Sequence, residues 1–66
     1  MEIIVNGETA VCEEGISLEA WILQAGYDKS RIAVERNGEI VPKAEYSQCI
    51  LGPADKLEIV TFVGGG

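Results

Sequence analysis

Two Asn-Gly dipeptides, Asn6-Gly7 and Asn37-Gly38, each stand between short runs of apolar and polar residues, and they constrain the fold more than any other feature. A two-residue type I′ turn needs positive φ at both central positions, which Asn and Gly tolerate best, and its twist matches that of the strands it joins. The first hairpin is therefore expected within "MEIIVNGETAVCEEG". Met1, Ile3 and Val5 share one face, Asn6-Gly7 turns, and the return runs from Glu8 to Glu13. The second repeats that grammar. Ile32 and Val34 alternate, Asn37-Gly38 turns, and Glu39-Ile40-Val41 returns until Pro42, which has no N–H to give to a ladder.

Between the hairpins lies "ISLEAWILQAGY", where Leu18, Trp21, Ile22 and Ala25 fall on one stripe of an α-helix and Glu19 and Gln24 lie off it. Ser17 is placed as the N-cap, and Ile16 before it can staple onto Trp21. Ala20 stands where a capping box would need Glu or Gln, so that box is absent. Gly26 provides the left-handed stop, giving a helix from Leu18 to Ala25. Downstream, Lys43 to Tyr46 suits one helical turn, with Tyr46 covering an open edge of the core. Gln48 to Leu51 is expected as a short strand, and Gly52-Pro53-Ala54-Asp55 as a turn. The last segment, "KLEIVTFV", is a strand that is apolar on both faces: Leu57, Ile59 and Thr61 on one, Glu58, Val60 and Phe62 on the other.

For the order ββαβ(β)β, a single amphipathic helix lying across one face of a mixed sheet is the natural way to bury Trp21 and Ile22 against Ile3, Val5, Val34, Leu57 and Ile59. For the last strand to share that helix it must return beside the first. The expected fold is therefore α+β, a ubiquitin-like β-grasp with a mixed four- to five-stranded sheet, one main helix and a flexible C-terminal glycine tail. Residues 1–63 are assigned to the β-grasp domain and 64–66 to the tail.

A chain of 66 residues has room for one domain and none for a deep catalytic cleft. Its net charge of −6 argues against nucleic acid and anionic membranes, both of which call for a Lys/Arg surface; the charge either keeps a small protein soluble or steers it to a basic partner. "MEIIVNGE" lacks the basic start and apolar core of a secretory signal, so a cytoplasmic protein is expected. With no histidine in the chain, neither a self-contained metal site nor a Ser-His or Cys-His nucleophile pair is expected. Cys12 and Cys49 form no CxxC motif, and two cysteines are too few for a two-iron ferredoxin cluster. They are expected to pack in the core, and Glu13, Glu14, Arg31, Arg36, Lys43 and Lys56 to be solvated.

The ending "FVGGG" raises the functional question. Three glycines after a strand stay mobile unless held from outside, because glycine loses the most backbone freedom on ordering. Lacking Cβ atoms, they can also thread a narrow channel and carry a carboxylate about 10 Å beyond the domain. Such a tail is either a frayed end or the working part.

"MEIIVNGE", "IAVERNGEIVP" and "LEIVTFVGGG", together with the small size, resemble the ThiS family of sulfur carriers of thiazole assembly in thiamine biosynthesis, across the whole chain. The turn at Gly52-Pro53-Ala54-Asp55 departs from the simpler Gly-Asp turn of such proteins. The resemblance implies a carrier and not an enzyme, with no catalytic residue and no cofactor of its own. A ThiF-like activating enzyme, using ATP and magnesium, would adenylate the Gly66 carboxylate. Sulfur mobilised by a cysteine desulfurase would then replace AMP, and thiazole synthase would consume the thiocarboxylate. Gly64 and Gly65 are the threaded leash. Val60 and Phe62, on the helix-free face beside the tail, are a docking patch for the activating enzyme, or covered by a neighbouring segment, or single apolar residues tolerated at the surface. The free carrier is expected as a monomer. Alternatives are the small subunit of a molybdopterin synthase and a ubiquitin-like binding module with an inert tail.

Overall fold

The computed structural model describes residues 1–63, so the expectations that rest on Gly64, Gly65 and Gly66 lie outside the described residues. The elements are β1 (Glu2–Val5), β2 (Glu8–Val11), α1 (Leu18–Ala25), β3 (Ile32–Arg36), β4 (Glu39–Ile40) and β5 (Lys56–Thr61), with 3₁₀ turns at Lys29–Arg31 and Lys43–Glu45. Both Asn-Gly turns form as the sequence predicts. Val5 pairs with Glu8 and Arg36 with Glu39, leaving two-residue loops. Positive φ values of 49° and 82° at Asn6 and Gly7, and 52° and 86° at Asn37 and Gly38, are those of type I′ turns.

The helix also begins and ends where local chemistry dictates. The Ala20 N–H donates to Ser17 Oγ at 3.1 Å, satisfying one of the donors a helix leaves free at its start. At the other end Gly26 takes a φ of 87°. Its N–H donates to the Leu23 carbonyl at 3.2 Å and that of Tyr27 to Ile22 at 3.1 Å, the two bonds of a Schellman motif. The stripe is narrower than expected: Leu18, Trp21 and Ile22 are buried, but Ala25 is exposed. The last turn is already leaving the core, and Tyr27, its ring centroid 6.0 Å from that of Trp21, packs there instead.

The five strands form one mixed sheet in the order β2-β1-β5-β3-β4. Hairpin pairs are antiparallel, β5 is antiparallel to β3, and β5 runs parallel to β1. Parallel neighbours require a long crossover, and here β2, α1, β3 and β4 lie within it; the last strand takes the centre of the sheet. The core joins Leu18, Trp21 and Ile22 of the helix to Ile3, Ile32, Val34, Leu57 and Ile59 of the sheet, and Ile16, Tyr46 and Leu51 close its end. Tyr46 is 1% exposed, as its proposed role in covering the core edge requires.

One expected element is absent. Gln48 to Leu51 does not add a strand to the sheet; it makes a single bridge, Ile50 to Ser17. The N–H groups of Gln48 and Cys49 are still directed back to the Glu45 carbonyl, so the chain leaves its turn too late to extend. Leu51 nevertheless reaches the core, its N–H bound to the Ile16 carbonyl at 2.9 Å.

Candidate functional site: the strand that carries the tail

β5 leads directly to the glycine segment, and the rest of the domain holds it from both sides. On one side β3 pairs with it from Arg36↔Leu57 to Ile32↔Thr61, and the Phe62 N–H continues the ladder to the Arg31 carbonyl at 2.7 Å. On the other side β1 contributes only Ile4↔Lys56 and Val5↔Leu57 before it turns away, with a last backbone bond from the Asn6 N–H to the Leu57 carbonyl.

The turn asparagines take over from the strands. The Ile59 N–H donates to Asn6 Oδ1 at 2.8 Å, and Asn6 Nδ2 donates back to the Ile59 carbonyl at 3.3 Å. A side-chain amide carries the same donor and acceptor as a peptide, so Asn6 extends the β1/β5 ladder by one position after the backbone has left it. Asn37 does the same at the start of the strand. The Lys56 N–H donates to its Oδ1 at 2.9 Å, while its Nδ2 donates to Asp55 Oδ1 at 3.0 Å.

Among the described residues Asp55 is the buried charged side chain, 8% exposed. Its Oδ2 accepts from the Gly52 N–H at 2.7 Å, from Arg36 Nε at 2.9 Å and from Arg36 Nη2 at 2.8 Å. Burial pushes the carboxyl pKa up, but the bonds from Gly52, Asn37 and Arg36 outweigh it and hold the group below its ordinary value. Arg36 is correspondingly raised, chiefly by its hydrogen bond to Asp55. This corrects the sequence expectation that Arg36 is solvated: it also donates to the Ile50 carbonyl at 3.1 Å and lies 3.6 Å from Cys49 Sγ, tying the long loop to β3. The turn closes on β1 as well, through Ala54 N–H to the Glu2 carbonyl and Ile4 N–H to the Asp55 carbonyl.

Because Leu57 and Ile59 face the helix, alternation puts Glu58, Val60 and Phe62 on the opposite, uncovered face. Val60 is 56% and Phe62 47% exposed, so no segment among the described residues covers the two residues singled out from the sequence. Register sets Ala33 beside Val60, and Glu35 directly opposite Glu58. The result is an apolar strip at the tail end of the sheet next to two carboxylates of like charge.

The remaining candidates are simpler. Cys12 and Cys49 are half-buried and packed against the core margin, less enclosed than expected. Glu13 and Glu14 are exposed. Among the described residues no group of three His, Cys, Asp or Glu side chains gathers as a metal-ligand set, and no helix is long and apolar enough to cross a membrane.

Comparison with known proteins agrees with this architecture. A family model described as "ThiS family" matches residues 3–66. The whole chain is 46% identical to part of a thiazole synthase of Paramagnetospirillum magneticum, spanning 20% of that protein's length. Over 35 residues, 53% of each chain, it is 51% identical to the sulfur carrier protein ThiS of Bacillus subtilis. A crystal structure of the thiamine biosynthesis protein ThiS from Geobacter metallireducens superposes over 100% of both chains with a TM-score of 0.83 at 23% identity, so the fold is the ubiquitin-like one expected.

Proposed function

Because the chain belongs to the ThiS family of sulfur carriers in thiamine biosynthesis, we propose that it carries sulfur as a thiocarboxylate on Gly66. The Gly66 carboxylate attacks the α-phosphorus of ATP in the site of a ThiF-like activating enzyme and releases pyrophosphate. The magnesium and the nucleotide belong to that enzyme. A persulfide formed by a cysteine desulfurase then displaces AMP from the acyl carbon, a thiol reductant cleaves the resulting acyl disulfide to leave the thiocarboxylate, and thiazole synthase consumes it in the cytoplasm. The chain is a co-substrate and supplies no catalytic group of its own.

The observation that carries this reading is the anchoring of β5. Ladder bonds on both sides, two asparagine clamps and the Asp55–Arg36 pair hold the strand that leads to Gly64 and Gly65. A short leash positions its end only as well as its base is fixed. The uncovered face supports the same reading. Like charges directly opposite on a sheet are destabilising, so Glu35 and Glu58 beside Val60 and Phe62 suit a partner surface that brings a cation to the acids and an apolar pocket to the strip. Thiazole synthase as the consumer is supported by the protein of that name within which a segment similar to the whole chain occurs.

The test is the intact mass of the chain after incubation with the activating enzyme, ATP and a sulfur donor, beside a chain lacking Gly66. Replacement of one oxygen by one sulfur on the full chain alone is expected. No change with an enzyme verified as active on its own carrier overturns the proposal.

A further inference from the structure

β5 has a neighbour on each side where it begins and on one side only where it ends. Successive residues of a strand direct their N–H and C=O groups alternately to the two sides. Phe62 faces β3, since its N–H donates to Arg31, and Ile59 faces the β1 side, where the Asn6 amide binds both of its groups. Thr61 therefore presents its N–H and C=O to the β1 side. There β1 has already turned back at Asn6-Gly7, its pairing with β5 having ended at Leu57. Among the described residues no strand lies beside Thr61 on that side, and Thr61, Phe62 and Val63 are all exposed.

A backbone donor and acceptor left open in a ladder form a template for one more strand. This opening has a defined lower limit, because Asn6 occupies the position at Ile59, and it begins where the chain passes from the sheet toward the glycines. We propose that an extended segment of the activating enzyme adds to the sheet beside Thr61, in the place β1 vacates, and exchanges main-chain hydrogen bonds with it. The inference rests on the carrier reading above. Its physical consequence is added binding: main-chain bonds at Thr61 would join the side-chain contacts of the uncovered face in holding the domain on the enzyme.

The geometry also provides a selective test. The Thr61 N–H is spent on no sheet neighbour, so Thr61→Pro removes it without breaking the β3 ladder, a position where a strand tolerates proline. A chain made by chemical synthesis with an ester in place of the Thr61 amide deletes the same N–H without the ring, and Thr61→Val changes only the side chain. With the activating enzyme and ATP, followed by pyrophosphate release, the proline and ester chains are expected to show KM raised about three- to tenfold, the effect of one backbone hydrogen bond. Their kcat and urea midpoints should stay near wild type, and Thr61→Val should match wild type throughout. If the ester chain folds and keeps the wild-type KM, the added strand is refuted while the carrier reading stands. If the wild-type chain itself releases no pyrophosphate with an active enzyme, the carrier reading fails and takes this inference with it.

Discussion

Replacing Asp55 by asparagine tests whether the buried carboxylate, and not merely the shape of its turn, anchors β5. The carboxylate receives Gly52 N–H, two nitrogens of Arg36 and Asn37 Nδ2. An amide of the same shape has one acceptor oxygen, so whichever way it turns, its NH₂ group meets one of those donors and leaves a largely buried polar group unpaired, at about 1 kcal/mol or more. The lost charge adds less than in a sealed core. The Arg36 side chain is 33% exposed and regains water, so its share is that of a surface pair, about 1 kcal/mol. Together these place the loss at about 2 kcal/mol at pH 7, or about 8–16 °C in Tm for a domain of this size.

The pH dependence separates charge from shape. Asp55 is held below its ordinary pKa of 3.8 in the folded state, so its stabilisation is present above that value and is lost as pH falls through the folded pKa. The Tm difference between wild type and Asp55→Asn, followed by circular dichroism, should therefore be constant from pH 7 to about pH 5 and shrink steadily below the ordinary carboxylate value. Comparing the two chains at each pH cancels the other carboxylates. A difference below about 3 °C at pH 7, or one that does not shrink in acid, refutes the assignment.

Three further outcomes follow from the same structure. Asn6→Gly keeps the positive φ but removes both bonds to Ile59, and should lower stability in urea by about 1 kcal/mol; Asn6→Ala should lose about 1 kcal/mol more, for the left-handed backbone. Phe62→Ala should leave the urea midpoint close to wild type, since the side chain is half exposed, yet raise KM with the activating enzyme; an unchanged KM removes Phe62 from the docking surface. The double variant Cys12→Ser and Cys49→Ser should still gain one sulfur by intact mass, because both thiols lie at the core margin; loss of sulfur transfer in a folded variant would give a cysteine a part in the relay.

Most elements were legible because their causes are local. The type I′ turns follow from the φ tolerance of Asn and Gly, and the helix ends from a Ser hydroxyl reaching an N–H three residues on and a glycine able to turn left-handed. The uncovered placement of Val60 and Phe62 followed from period-2 alternation in β5. Where the same reasoning fell short, a competing hydrogen-bond partner had intervened, either next to the segment or far from it in sequence. Gln48 to Leu51 looks like a strand, but the preceding turn holds its first two N–H groups and the helix entry takes that of Leu51. Arg36 looks like a solvated end of β3 because nothing near it in sequence is buried and acidic.

The sequence by itself determined the turns, the helix and the alternation of faces, since each depends on dihedral preferences and side chains a few residues apart. Tertiary structure decided what those pieces do for the strand that carries the tail. Asn6 is selected by its turn, yet its amide completes the ladder of a residue 53 positions away; Arg36 meets Asp55 across 19. Such bonds arise only once β5 has been placed between β1 and β3. That placement depends on burying Leu57 and Ile59 under the helix, a collective packing outcome that no local stretch of the chain encodes alone.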